Sequence, residues 1–134
     1  MNLEEKLKKE ALDAMAYSYA PYSNINVGAA ILSDDGSISK GANIENASYG
    51  ITVCAERVAL FKAVSEGRRK FKAIVIVSNV GPLTPCGACR QALFEFSPEM
   101  DVIVAHDTQS KKWRLEELLP AGFSLVAEEE PVER

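Results

Sequence analysis

All three cysteines of this chain fall in two short segments, Cys54-Ala55-Glu56-Arg57 and Pro85-Cys86-Gly87-Ala88-Cys89-Arg90. Cys86 and Cys89 are three apart, a spacing that shares one face of a first helical turn. Each segment sits where a loop enters a stretch of helical pattern. One ion gripping all three thiolates would force two helix N-termini from distant parts of the chain to meet. Cys54 and Glu56 are separated by roughly 200° around a helix. Side chains of a first turn nonetheless tilt back toward the N-terminus, so both can reach a metal beyond the helix end. Three protein ligands leave the fourth position of tetrahedral zinc open, the mark of a catalytic site.

The apolar pattern supplies the elements around those helices. Leu3, Leu7, Ala11, Ala14, Met15 and Ser18 recur at helical spacing, which predicts a helix over 2–18, stopped by Pro21. Residues 26–33 (NVGAAILS) predict a buried strand, Asp35-Gly36 a hairpin turn, and 37–44 an antiparallel second strand. Residues 54–66 predict a helix with Ala55, Val58, Ala59 and Leu60 on or near its buried side and Gly67 as cap. The apolar run 71–79 predicts a strand covered on both faces. A loop over 81–84 leads to a helix over 87–96, whose face carries Cys89, Ala92, Leu93 and Phe96. Residues 102–106 read as a fourth strand, 113–115 as a short fifth and 120–123 as a turn. The acidic tail 128–134 is expected to fray. This order predicts an α/β fold: a three-layer α/β/α sandwich with one mixed five-stranded sheet.

The chain has 134 residues, 47% hydrophobic and 25% charged, the size and balance of a single globular domain over 1–134. An odd cysteine count excludes a full disulfide framework, and reduced thiols suit a cytoplasmic protein. A net charge of −4 argues against nucleic acid as a partner. The opening MNLEEKLKKE lacks the apolar stretch of a secretory signal. No run approaches the roughly 18 apolar residues of a membrane span.

Zinc with three thiolates carries excess negative charge, which weakens it as a Lewis acid. Two helix N-termini, each partly positive, and hydrogen bonds from Arg57 could moderate that charge. Glu56 is placed to shuttle protons, a role worth on the order of 10²–10⁴ in rate. Other readings stand beside this one. The cysteines could be unconnected core thiols, or Cys86 and Cys89 a redox pair, which needs neither Cys54 nor Glu56. A closed structural Cys3His zinc module could use His106, at the end of a predicted strand. Glu56 and Arg57 could be an ordinary solvated pair.

Across residues 19–123 the chain closely resembles the small homotetrameric zinc-dependent cytidine deaminases. The resemblance rests on Tyr19-Ala20-Pro21-Tyr22-Ser23, Val27-Gly28-Ala29-Ala30, the run from Gly41 to Gly50 (GANIENASYG), Leu118-Leu119-Pro120, and both cysteine segments, the second extended to Gln91. It implies hydrolytic deamination of cytidine and deoxycytidine to uridine and deoxyuridine with release of ammonia, a reaction of pyrimidine salvage. It implies one Zn2+ per chain on Cys54, Cys86 and Cys89, and Glu56 as proton shuttle. Asn43 and Glu45 would bind a ribose hydroxyl, with Asn46 beside them, and the backbone at Ala55 and Cys86 would meet the pyrimidine edge. Tyr49 reads equally as a pocket wall or a core aromatic. Phe123 matches an aromatic that a neighbouring subunit contributes to the pocket, and reads equally as a buried structural residue. The family often has Phe at Ile25 and Pro or a basic residue at Asn26, which implies weaker aromatic stacking on the base here. The rival substrate is another cytosine-containing nucleoside such as blasticidin S.

Overall fold

A computed structural model describes residues 1–125; the tail expected to fray, 128–134, lies outside them. Five strands form one sheet in the order β2-β1-β3-β4-β5. They are β1 (Val27–Ser33), β2 (Ile38–Ala42), β3 (Phe71–Ser78), β4 (Asp101–His106) and β5 (Gln109–Arg114). β3 and β4 run parallel, and the other neighbouring pairs are antiparallel. The sheet is therefore mixed, as the element order predicts.

Alternation along the strands sorts the core into two layers. Ala30, Leu32, Val75, Val77 and Ile103 face helix α1 (Leu3–Met15), which buries Leu7 and Ala11 against them. Ala29, Ile31, Ile74, Ile76 and Val102 face α2 (Ala55–Ser65) and α3 (Gly87–Phe94). Burying one Leu or Ile side chain contributes about 1.5–3 kcal/mol. The central strand β3 is apolar on both faces because both are covered. Close approach depends on two glycines. A Cβ on Gly28 would stand 2.0 Å from the Ala11 carbonyl oxygen of α1. One on Gly41 would stand 2.4 Å from the Ala59 nitrogen and 2.6 Å from the Ala55 carbonyl oxygen of α2.

Several boundaries differ from the sequence expectation. α1 stops at Met15, well before Pro21, and Leu3 is exposed. The chain tightens through Tyr17 N–H to Ala14 and Ser18 N–H to Met15 carbonyl bonds. Asn43 then draws it off the helix axis, accepting from the Ser18 hydroxyl through its side chain and from Tyr19 N–H through its carbonyl. Four residues, Asp34 to Ser37, join the two strands, and the turn is closed by Ser33 N–H donating to the Ser37 carbonyl. β2 ends at Ala42, and Ile44 makes isolated bridges to Tyr19 and Val53. α3 ends at Phe94, where Phe96 and Ser97 N–H groups both turn back to the Leu93 carbonyl. β5 is twice the expected length, because an edge strand with exposed side chains needs no apolar alternation. The short helix α4 (Leu115–Leu118) and a 3₁₀ turn at Tyr49–Ile51 were not expected.

Candidate metal centre and adjoining cleft

Cys54 and Cys86 are the N-cap residues of α2 and α3, both with extended backbone, and Cys89 lies in the first turn of α3. Extended φ/ψ at an N-cap aims the side chain past the helix end, so two converging N-termini bring the thiols together. The Cys54 and Cys86 sulfurs are 3.8 Å apart, and those of Cys86 and Cys89 3.4 Å. All three lie within 4.8 Å of one another. Cys89 is buried, Cys54 half-buried and Cys86 exposed, so the cluster is open on one side. The donor set and this open side fit zinc with three protein ligands. His106 is not in the cluster. It closes β4 on the rim and pairs with Asp107 at 3.3 Å, which removes the support for a Cys3His site.

The closely spaced thiols perturb one another. Cys54 is lowered to about 5, chiefly by a hydrogen bond from Cys89, with Arg57 and Cys86 adding to it against burial. Cys89 is pushed up, by giving that same bond and by burial. The two opposite shifts share one cause, the contact between the two thiols, and a metal would bind all three as thiolates.

Arg57 lies one turn into α2, its Nη2 3.7 Å from the Cys54 sulfur. Its Nε is buried and makes no hydrogen bond. Glu56 is only 5% exposed, against an ordinary solvated residue's position on a first turn. Burial, first of all, raises its pKa, and the Cys54 charge adds to this; its own amide and the Cys89 thiol oppose it. A buried carboxyl that is easily protonated, touching the thiol cluster, has the properties of a proton carrier. Ala55 is fully buried, and its amide is one of the N-terminal donors with no helical acceptor.

A second group of residues forms an open cleft of about 410 Å³, lined by Tyr22, Ser23, Glu45, Tyr49 and Thr52. Thr52 lies two residues before Cys54, so the cleft borders the chain entering the metal cluster. The Glu45 carboxylate accepts from Tyr22 N–H (3.0 Å), Ser23 N–H (3.2 Å) and the Ser23 hydroxyl. Asn43 is buried and braces its surroundings. Its Oδ1 accepts from Ser18 and from Val27 N–H at 2.9 Å, and its Nδ2 donates to the Ile25 carbonyl at 2.7 Å. One Nδ2 hydrogen is left over. Tyr49 is 74% exposed and meets Tyr22 edge-on at 5.8 Å, so it is a cleft wall and not a core aromatic. The Asn46 side chain caps its own turn, accepting from Ser48 N–H at 2.8 Å. Phe123 is exposed, not buried in this chain, and its carbonyl accepts from Gln91.

Two supporting groups have no role in the sequence reading. Arg90 donates to the Pro85 carbonyl (2.7 Å) and the Leu118 carbonyl (2.8 Å), tying the ligand loop to α4. Ser23 and Tyr22 grip Glu45. The sequence signal for both is membership of the motifs that carry the resemblance, Tyr22 and Ser23 in the 19–23 run and Arg90 in the second cysteine segment.

Fold and centre together define an α/β protein with a three-thiol zinc site open on one side, the form of a catalytic and not a closed structural centre. The chain belongs to the cytidine deaminase family: residues 1–106 match the cytidine and deoxycytidylate deaminase zinc-binding region. A cytidine deaminase of Halalkalibacterium halodurans is 50% identical over 123 residues, 90% of this chain and 93% of the relative. The crystal structure of cytidine deaminase from Burkholderia pseudomallei superposes with a TM-score of 0.86 at 42% identity, covering 92% of this chain and all of that one. A Blasticidin-S deaminase of Bacillus cereus is more distant, 32% identical over 74% of this chain and 77% of the relative.

Proposed function

We propose that the chain hydrolyses cytidine and deoxycytidine to uridine and deoxyuridine, releasing ammonia, with Glu56 moving the protons. The observation that carries this is the buried Glu56 carboxyl beside a three-thiol cluster open on one side. Cys54, Cys86 and Cys89 would hold a zinc ion, which would supply Lewis acidity toward a water molecule. Glu56 would accept a proton from the attacking water and pass it to the ring nitrogen, then take the second proton from the new C4 hydroxyl and pass it to the departing amine. The C4–N bond breaks, a C4 carbonyl forms, and the proton count closes with neutral ammonia. Arg57 supplies positive charge to the Cys54 thiolate. The Ala55 amide meets the pyrimidine edge, and Tyr49 walls the entrance.

Asn43 and Glu45 bind one sugar hydroxyl. Three of the roughly four acceptor positions of the Glu45 carboxylate are taken, and one Asn43 donor hydrogen is free. One acceptor and one donor suit a single hydroxyl, which both gives and receives. The 3′-hydroxyl fits a site that also accepts deoxycytidine. A sugar-gripping enzyme rejects free cytosine, because its polar groups are then left unpaired. Loss of cytidine absorbance with stoichiometric ammonia tests the reaction. Blasticidin S in the same assay tests the rival substrate, and equal turnover of free cytosine would remove the sugar assignment.

The assembly we infer is a homotetramer in a reducing, cytoplasmic setting. Tyr17, Tyr19, Ile44, Ile51, Phe61 and Phe123 are exposed apolar surface that subunit contacts would cover, and Phe123 would then enter a neighbour's pocket. Among the described residues no helix is long and apolar enough to cross a membrane. Light scattering should give about four times the 14.6 kDa chain mass; a stable, active monomer refutes the assembly.

A further inference from the structure

We propose that Ser23 is the positioning residue of the sugar subsite, joining Glu45 and the loop that holds Asn43 into one hydrogen-bonded unit. The inference rests on the sugar-binding reading of Glu45. Glu45 lies just beyond the end of β2, in a part-exposed stretch where a long carboxylate side chain has several rotamers. Ser23 restricts it from two directions, through its N–H on Oε1 at 3.2 Å and its hydroxyl on Oε2. The same hydroxyl oxygen accepts from the Ile25 N–H at 3.0 Å. That acceptance orients the hydroxyl proton toward the carboxylate. The Ile25 carbonyl in turn receives the Asn43 amide at 2.7 Å. The two side chains are therefore linked through Ser23 and Ile25, across the loop, in addition to the backbone bridge that Tyr19 makes between Asn43 and Glu45.

The loop is itself anchored to the sheet. Asn79, at the end of β3, accepts from Asn26 N–H at 2.9 Å and donates to the Asn24 carbonyl at 3.0 Å. Asn24 holds a left-handed backbone, φ 60°, which Asn tolerates better than most residues. The anchor fixes the loop, and Ser23 transmits that fixed position to the carboxylate. Preorganisation of this kind lowers the ordering cost that substrate binding must otherwise meet.

The test compares wild type, Ser23→Ala, Ser23→Thr, Glu45→Ala and Ser23→Ala/Glu45→Ala, with zinc content measured for each. Substrates are cytidine and 2′,3′-dideoxycytidine, which lacks the hydroxyl that Glu45 would hold. Ser23→Ala should raise the KM for cytidine about ten-fold, the low end of what one lost hydrogen bond to a charged group is worth. Its kcat should fall less, zinc should stay full, and dideoxycytidine should be little changed. Ser23→Thr keeps the hydroxyl at an exposed position and should restore the cytidine KM. In the Glu45→Ala background, Ser23→Ala should add nothing. The proposal is overturned if Ser23→Ala harms both substrates equally, or if its effect on cytidine persists undiminished without Glu45. If Glu45→Ala itself leaves the ratio between the two substrates unchanged, the sugar reading fails, and this proposal with it. A changed ratio with Glu45→Ala but not with Ser23→Ala overturns the Ser23 role alone.

Discussion

The Arg57 guanidinium reaches back along α2 to lie 3.7 Å from the sulfur of Cys54, the residue that caps the same helix. This cation and the N-termini of α2 and α3 are the positive groups on a centre of three thiolates. Groups that hydrogen-bond metal ligands typically govern metal affinity by 10–100-fold. Arg57→Gln should weaken zinc binding by about that factor, read by competition with a chelator. Unchanged affinity would show that the helix ends alone hold the thiolate charge.

Zinc stoichiometry separates the cluster from the rim histidine. Cys89 is the buried thiol, and its sulfur lies within 4.8 Å of the other two. Cys89→Ala should lose bound zinc, whereas His106→Ala should keep one zinc per chain by elemental analysis. Metal lost from His106→Ala and retained by Cys89→Ala would reverse the assignment.

Glu56→Gln preserves the volume of a buried side chain and removes its ability to carry a proton. Turnover should drop by roughly 10²–10⁴ while zinc content and folding are kept. Near wild-type turnover in this variant would take Glu56 out of the chemistry.

Gly41 links the sheet to the catalytic helix. A methyl there would meet backbone atoms of Ala55 and Ala59 at 2.4–2.6 Å, with no flexible side-chain end to give way. α2 must shift, and Cys54 and Glu56 shift with it. Gly41→Ala should cost about 1–3 kcal/mol by denaturant unfolding and also lower zinc affinity. Lost stability with unaltered zinc affinity would mean the helix moves as a body without disturbing its first turn.

How much was legible beforehand follows from where the information resides. The metal cluster was readable because three thiols and a Pro-Cys-x-x-Cys segment are local and rare, and β3 because an apolar run needs no partner to identify it. β5 was nearly invisible, since an exposed edge strand of sequence QSKKWR has no apolar alternation. The early end of α1 depends on Asn43, far along the chain, competing for Ser18 and Tyr19. Ser23 escaped for a related reason. Two of the three bonds on Glu45 come from backbone N–H groups, which every non-proline residue carries and no motif reveals.

Those bonds give Glu45 a titration that can be followed. The Ser23 hydroxyl is the largest influence lowering its pKa below the usual 4.5; partial burial opposes it, and the Tyr22 and Ser23 amides reinforce it. A carboxylate depressed in the folded state binds fewer protons there than in the unfolded chain, so stability rises with pH across that interval. The contribution is complete above about 4.5 and is lost as pH falls through the lower folded value. Ser23→Ala should move the Glu45 carboxyl resonance midpoint upward in an NMR titration. The urea midpoints of wild type and variant should differ most at neutral pH and draw together in acid. A midpoint gap that stays constant with pH would mean the hydroxyl matters only through the Ile25 amide, and not through the carboxylate.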